Sequence, residues 1–492
     1  MTRNSLAFNS IVVTAASLFA RVTNLLFAAF AARVVPVSEL GSYFAATSIL
    51  SIFLVAADLG LARVIAREVA RRPSAADTYA KSLAPTVAAF GFVLMCGAII
   101  LSMTVARDEC ARMVLAWGGV SLIPGALCAF WLSFAWGRER LAYNAVTDAA
   151  GSAMILLAGA AAVYLSRKMA TVAYVLLGVA VLRGVLSFYF VHRKLRIKSV
   201  PWRNDWSIVR SALAMSWPFM IFSLAVTVHA RAEIVLVSWL AGSYHAGLYA
   251  TAHQLSYSVL RLREGFLISL FPVLSREGAA EKSVFLEHLR STMVWLTLLF
   301  VPAAGGVGLV CNKLLVLVYG RPYGDAEHVL RLLVWLWPAS ALTATCLRGL
   351  AAVDRQVSLL CVVVVTMCLS LTCNVIAIPK LGIFGAATTA VATQVLCGML
   401  AASCLWSTLR DARFITTAAS LEAGLLCCAG AAGVYRDSML AAAALTMFGL
   451  CILLLVLWRE VALRKHKRII ANCLTRSGAK VRVRESKSVE ES

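Results

Sequence analysis

Apolar residues run in blocks of about twenty, set apart by short clusters of charge, proline or glycine, from the first dozen residues almost to residue 458. About 20 apolar residues in a helix cross the ~30 Å hydrocarbon layer of a bilayer. Inside that layer every backbone polar group must be satisfied internally, so such blocks predict helices. They fall at 10–34, 42–62, 83–105, 113–136, 144–165, 171–191, 212–240, 246–274, 291–311, 328–351, 357–378, 382–407, 414–434 and 438–458, fourteen in all. The first follows only Arg3, is too long for a signal-peptide core and lacks a small-residue cleavage site, so it is kept as helix one. The predicted fold class is all-α, a polytopic membrane protein.

Composition agrees. The chain is 61% hydrophobic and 14% charged, with a mean hydropathy of +0.83, whereas about a quarter of the residues in a soluble domain are charged. The 46 Lys and Arg against 24 Asp and Glu leave +22, a surplus that suggests nucleic acid in a soluble chain. In a polytopic chain its placement is read first, because cytoplasmic loops collect Lys and Arg. Thirty basic residues fall in one alternating set of segments, among them Arg63, Arg67, Arg71, Arg72, Arg138, Arg193, Lys194 and ten after residue 458. Eight fall in the opposite set, so both termini are expected on the cytoplasmic side of the membrane. Most of the surplus is therefore topology, and nucleic acid is not an expected partner. The tail cluster Arg464, Lys465, Lys467 and Arg468 suits anionic membrane lipids. Trp131, Trp136, Trp335, Trp337 and Trp458 read as interfacial belt residues.

Shifting the chain by 206 residues brings Gly41, Tyr43, Thr47, Ser51 and Asp58 of helix two onto Gly247, Tyr249, His253, Tyr257 and Glu264 of helix eight. With the offset changed to 215 and then 212 by short insertions and deletions, Glu139-Arg140 after helix four meets Asp354-Arg355 after helix ten, and Lys168 meets Lys380. A displacement of six helices keeps direction, which gives a parallel repeat about an axis along the membrane normal. The expected domains are a six-helix lobe over 1–200, a second over 201–407, an unpaired helix pair over 408–458 and a basic tail over 459–492. Two such lobes are expected to rock about a central cavity.

The repeated helices carry the polar positions. Tyr43, Thr47, Ser51 and Asp58 share one face of helix two, and Tyr249, His253, Tyr257 and Glu264 the matching face of helix eight. Ser10, Thr14, Ser17, Arg21 and Asn24 form a stripe on helix one, and Ser223, Thr227 and Arg231 one on helix seven. Ionisable groups facing lipid cost at least ~2.5 kcal/mol each, so these faces are expected to line a wet cavity. Alternatives remain open for each group. Arg21 stands free or pairs with a carboxylate of another helix. His229 and Glu233, four residues apart, form a structural pair or a proton relay, and Arg261 and Glu264 neutralise each other or serve substrate. Asp58 bonds to Arg63, to a loop backbone, or to a moving proton, and Glu422, alone in helix thirteen, reads as packing. The fourteen Cys lie mostly within apolar runs with no paired spacing, and no phosphate-binding loop, HExxH or GxSxG is present. The expectation is therefore a protein that is not an enzyme, with no cofactor and no metal site.

Several segments carry a resemblance. Asp58-Leu59-Gly60-Leu61 with Arg67-Glu68-Val69-Ala70-Arg71, the Ala241 to Tyr249 turn, Phe271-Pro272-Val273-Leu274-Ser275-Arg276 and Leu381 to Ala387 together resemble the bacterial polysaccharide-transporter flippases. These share a superfamily with the lipid II flippase and the MATE multidrug exporters. The resemblance implies a two-lobed flippase that carries an undecaprenyl-diphosphate-linked oligosaccharide from the cytoplasmic to the outer leaflet for exopolysaccharide or O-antigen synthesis. A polysaccharide polymerase and chain-length proteins are implied as further partners. Arg suits a diphosphate because its fork binds phosphate oxygens in pairs. Arg21 and Arg231, with Arg261 third, are thus the expected head-group contacts, and Tyr249 and Tyr257 the expected sugar-stacking rings. His229, Glu233, Glu264 and Asp58 are the coupling candidates. A lipid II flippase and a MATE-like cation exporter remain as alternatives; Arg21 in a first helix without acid weighs against the exporter.

Overall fold

The computed structural model describes residues 3–198, 205–260, 282–409 and 412–434, with Gly449, 451–453 and Leu455. In chain order the helices are α1 (Arg3–Val34), α2 (Val37–Ala57), α3 (Leu61–Arg71), α4 (Ala76–Thr104), α5 (Glu109–Val120), α6 (Leu122–Gly137), α7 (Leu141–Met154), α8 (Ala160–Ser166), α9 (Val172–Tyr189), α10 (Trp206–Leu240), α11 (Ser243–Leu260), α12 (Lys282–Tyr319), α13 (Glu327–Leu333), α14 (Leu336–Ala352), α15 (Gln356–Leu409) and α16 (Ala412–Val434). No strand occurs among the described residues. Among the described residues, nine helical segments are long and apolar enough to span a bilayer, ten if α5 and α6, bent by 46°, form one span. α15 holds two expected helices, joined where Gly382 takes φ 60°. The last expected helix, 438–458, and the tail after it lie almost wholly outside the described residues.

The turns define two faces. The basic face carries the α2–α3, α6–α7 and α14–α15 turns; the far face carries the α1–α2, α4–α5 and α10–α11 turns. The matched turns after helices four and ten have one backbone design. Arg140 N–H donates to Ala135 and Glu139 N–H to Trp136; Arg355 N–H donates to Leu350 and Asp354 N–H to Ala351. Both Glu139 (φ 59°) and Asp354 (φ 56°) are left-handed, the helix end in which that residue frees the last carbonyls for capping.

Two expectations change. α3 was counted as loop, but Leu61, Val64, Ile65 and Val69 make an apolar stripe that is buried, and the helix breaks away from α2 at left-handed Leu59 and Gly60. Trp131, Trp335 and Trp337 are buried inside the bundle; the indole of Trp337 donates to the Ser256 carbonyl at 2.9 Å. Trp136 is exposed, and Trp458 lies outside the described residues. Val209 and Ala212, at the start of α10, are buried in one core with Leu61, Ile65, Ala80 and Leu83 of the N-terminal half. A 35-residue helix outlasts one membrane crossing, and Ile234 and Val237 near its end are buried in a core drawn from both halves of the chain.

Candidate functional site

α1, α2, α10 and α11 bring the two halves together, and their contacts differ from face to face. At the far face α2 crosses α11 where the repeat-matched glycines meet. A Cβ on Gly41 would stand 1.9 Å from the Ser243 carbonyl oxygen and 2.5 Å from Gly247 N, and one on Gly247 would stand 2.2 Å from the Val37 carbonyl oxygen. Backbones come this close in membrane helices only at the smallest residues.

Charged groups of the N-terminal half fasten this crossing. Asp108 caps α5 by accepting from Ala111 N–H at 2.7 Å. Its other oxygen accepts from the Ser42 hydroxyl at 2.5 Å and, across the lobes, from the Ser243 hydroxyl at 3.3 Å. Arg107 donates to the Trp239 carbonyl at 3.1 Å, and Arg33 to the Leu317 carbonyl at 2.5 Å. Both acceptors belong to last-turn carbonyls, which lack helical donors and carry the negative end of the helix dipole. Replacing Asp108 by Ala removes the cap and two hydroxyl bonds, with an expected loss of about 1–2 kcal/mol from the cap alone. Asp108→Asn keeps the accepting oxygen of the cap, and its amide N–H groups donate to the Ser42 and Ser243 hydroxyls, which can turn to accept. Thermal melting in detergent should therefore drop for Asp108→Ala and stay near the parent for Asp108→Asn.

Toward the basic face the contacts on the two sides of the junction differ. α10 stays against α2 and α3: the Arg63 guanidinium lies over the Phe219 and Phe222 rings at 5.7 and 5.5 Å, and a Cβ on Gly60 would stand 2.5 Å from the Ser216 carbonyl oxygen. On the other side α1 touches α11 through Gln254, whose amide donates to the Asn24 carbonyl at 3.4 Å. Nearer the basic face, Leu18, Val22 and Leu26 form one exposed apolar stripe on α1. Thr14, Ser17, Arg21 and Asn24 form an adjoining polar one, with Thr14 and Asn24 exposed and Arg21 half-buried. Arg231 on α10 is half-buried as well.

The other expected site residues take different places. Tyr249 is wholly buried, and its hydroxyl donates to the buried Glu233 carboxylate at 2.5 Å. It offers no ring to a sugar, and Glu233 has a tyrosine of the next helix where His229 was expected. His229 keeps its Nδ1 buried with no hydrogen bond among the described residues. His253 stacks on Tyr257 at 3.9 Å, so the expected stripe on helix eight exists but is turned mainly into the protein; Tyr257, half-buried, is its outermost member. Asp58 accepts from Ala62 N–H at 3.3 Å and belongs to the α2–α3 turn. Thr47 and Ser51 return their hydroxyls to carbonyls of α2. Arg261 and Glu264 lie outside the described residues. The far-face contacts through Arg33, Arg107 and Asp108 were missed, because each residue sits at a helix end where sequence shows only a loop charge; the Gly41/Gly247 match was the available signal.

Comparison with known proteins supplies the rest. A family model described as polysaccharide biosynthesis protein matches residues 6–277. No curated protein sequence matches. Among solved structures, the chain is similar to the lipid II flippase MurJ in an inward closed conformation, at 13% identity and TM-score 0.68, over 92% of this chain and 100% of that one. It is similar to an inward-facing MATE-family multidrug resistance transporter of the MOP superfamily at 13% and 0.68, over 82% and 99%. A MOP superfamily transporter from Pyrococcus furiosus, described as having a binding pocket of reverse polarity, follows at 12% and 0.57, over 82% and 96%. At these identities the likeness is one of fold.

Proposed function

Because the chain belongs to the polysaccharide biosynthesis protein family, we propose that this multi-pass membrane protein is a flippase for an undecaprenyl-diphosphate-linked oligosaccharide. It would work in the bacterial inner membrane, with both termini cytoplasmic, in the synthesis of exopolysaccharide or O-antigen. The observation that carries the reading is the asymmetry of the junction. The far face is shut by bare-backbone packing and three charged contacts, while α1 exposes a polar stripe with Arg21 toward the basic face. Such a shape admits a head group from the cytoplasmic leaflet, and a lipid tail could stay in the bilayer alongside the apolar stripe of α1.

Arg21 and Arg231 sit on the two helices that a diphosphate would pass, and guanidinium forks match phosphate oxygens. Tyr257 is the remaining ring within reach of a sugar. Glu233 and Tyr249 act in this reading as a clamp between α10 and α11. Glu233→Gln preserves an acceptor for Tyr249 and should keep both fold and gradient-driven flux. Tyr249→Phe strands a buried carboxylate, at about 1–3 kcal/mol, and should lower the folded yield. Loss of proton-gradient dependence in Glu233→Gln would make that residue the coupling group.

A second reading, lipid II as substrate, is favoured by the full-length likeness to MurJ. Inverted membrane vesicles supplied with either lipid-linked oligosaccharide or lipid II distinguish the two. Protection of the oligosaccharide from an added glycosidase supports the first reading, and protection of lipid II alone overturns it.

A further inference from the structure

Glu422 lies on α16, outside the four helices of the candidate site. Its residue is 2% exposed, and Oε2 has no hydrogen-bond partner among the described residues. Oε1 rests on the bare backbone of α15: a Cβ on Gly398 would stand 2.2 Å from it and 3.0 Å from Thr343 Oγ1 of α14. The carboxyl, the Thr343 hydroxyl and the Gly398 Cα therefore meet where three helices join, and only glycine leaves room for them. Thr343 donates its own proton to the Ala339 and Gln394 carbonyls at 2.9 and 3.1 Å, which leaves its oxygen as an acceptor.

A buried carboxylate in a membrane core without a counter-charge costs several kcal/mol. No described basic side chain forms a salt bridge with Glu422. Among the described residues no side chain supplies the matching positive charge, which points to a bound cation. A metal ion asks for more ligands than one carboxyl and one hydroxyl, and no group of three His, Cys, Asp or Glu occurs among the described residues. A proton asks for nothing except an acceptor, and Thr343 is one. The titratable groups facing Glu422 are Cys346 of α14 and Cys397 of α15. α12 and α13, which also pack on α16, place no charged group against it among the described residues.

We infer that Glu422 is a proton-binding carboxyl at the α14–α15–α16 junction, through which the second lobe senses the proton gradient. α15 is packed against α10, the helix that carries Arg231, so a change at the junction reaches the substrate path through one helix contact. The inference rests on the flippase reading for its use, though the proton site itself can be tested apart from it.

Dicyclohexylcarbodiimide, an apolar reagent that attacks protonated carboxyls, is the probe. Full-length protein in lipid vesicles is treated from mildly acidic to mildly alkaline pH, and adducts are mapped by mass spectrometry. A Glu422 adduct that falls severalfold as pH rises is the expected result. No adduct, or one indifferent to pH, overturns the site. In proteoliposomes, Glu422→Gln should keep exchange of lipid-linked oligosaccharide without a gradient and lose its acceleration by an imposed pH gradient; full acceleration in Glu422→Gln overturns the coupling role. If the parent protein moves no oligosaccharide, the flippase reading fails, and the labelling result still decides the proton site.

Discussion

Cells in which Arg21 or Arg231 is replaced by Ala should keep the protein in the membrane, lose surface glycan and accumulate lipid-linked repeat units inside. A charge-assisted hydrogen bond is worth about 1.5–3 kcal/mol, so losing one fork on the diphosphate slows translocation about tenfold to a hundredfold. Lys in either place should recover part of the loss, because it keeps the charge without the paired donors. Export is read by surface glycan staining and the intermediates by extraction of lipid-linked sugars. Folding should be little affected, since both side chains are half-buried at the edge of the helix junction and outside the core. Normal glycan with both arginines replaced would remove them from the substrate path.

Replacing Gly41 by Val should have the second large effect. The new side chain cannot share the space of the Ser243 carbonyl oxygen, 1.9 Å from where its Cβ would stand. Backbone cannot yield as a side-chain tip does, and overpacking of this kind typically costs 1–3 kcal/mol. Because the clash exists only while the far face is shut, that cost moves the balance toward far-face opening by about fivefold to 150-fold. A Ser51→Cys probe on the inner part of α2, labelled from the far side by an impermeant maleimide and quantified on its own peptide, should react faster in the Gly41→Val background. Equal rates would show that the glycine crossing does not gate the far face. Gly247→Val should act in the same way, and the pair should be less than additive because both clashes are relieved by one opening.

Much of the fold was legible because apolar length is a strong constraint in a membrane. The spans at 144–165, 171–191 and 212–240 lie within observed helical segments, and the break between 378 and 382 coincides with the left-handed Gly382. The repeat was legible too, down to Glu139 and Asp354, which share one helix-end conformation. α3 escaped notice because a search for long apolar runs passes over an 11-residue amphipathic helix rich in arginine. Trp131, Trp335 and Trp337 were misplaced because position near a span end says nothing about which side of the helix faces lipid.

The candidate site was legible by residue type and less so by direction. Helical spacing put Tyr249, His253 and Tyr257 on one face, where Tyr249 lies tilted beside His253 and His253 stacks on Tyr257. Spacing could not tell that this face turns toward Glu233 and the protein interior, because the neighbour of a stripe is chosen by how helices pack. Glu233 shows the same limit. A local rule, four residues apart on one helix, offered His229, whereas the structure supplies Tyr249 from the following helix at 2.5 Å.

The sequence alone determined that this chain crosses a membrane many times, that its halves repeat in parallel, and that Arg21 and Arg231 are exceptional cations within apolar helices. Each of these follows from one-dimensional quantities: the length of apolar runs, the register of a repeat, the cost of charge in hydrocarbon. Only the tertiary structure decided that Gly41 meets Gly247, that Asp108 fastens one lobe to the other through Ser243, and that Glu422 lies against Gly398 and Thr343. Those are contacts between residues up to about two hundred positions apart, set by the angles at which helices cross, and no local pattern encodes a crossing angle.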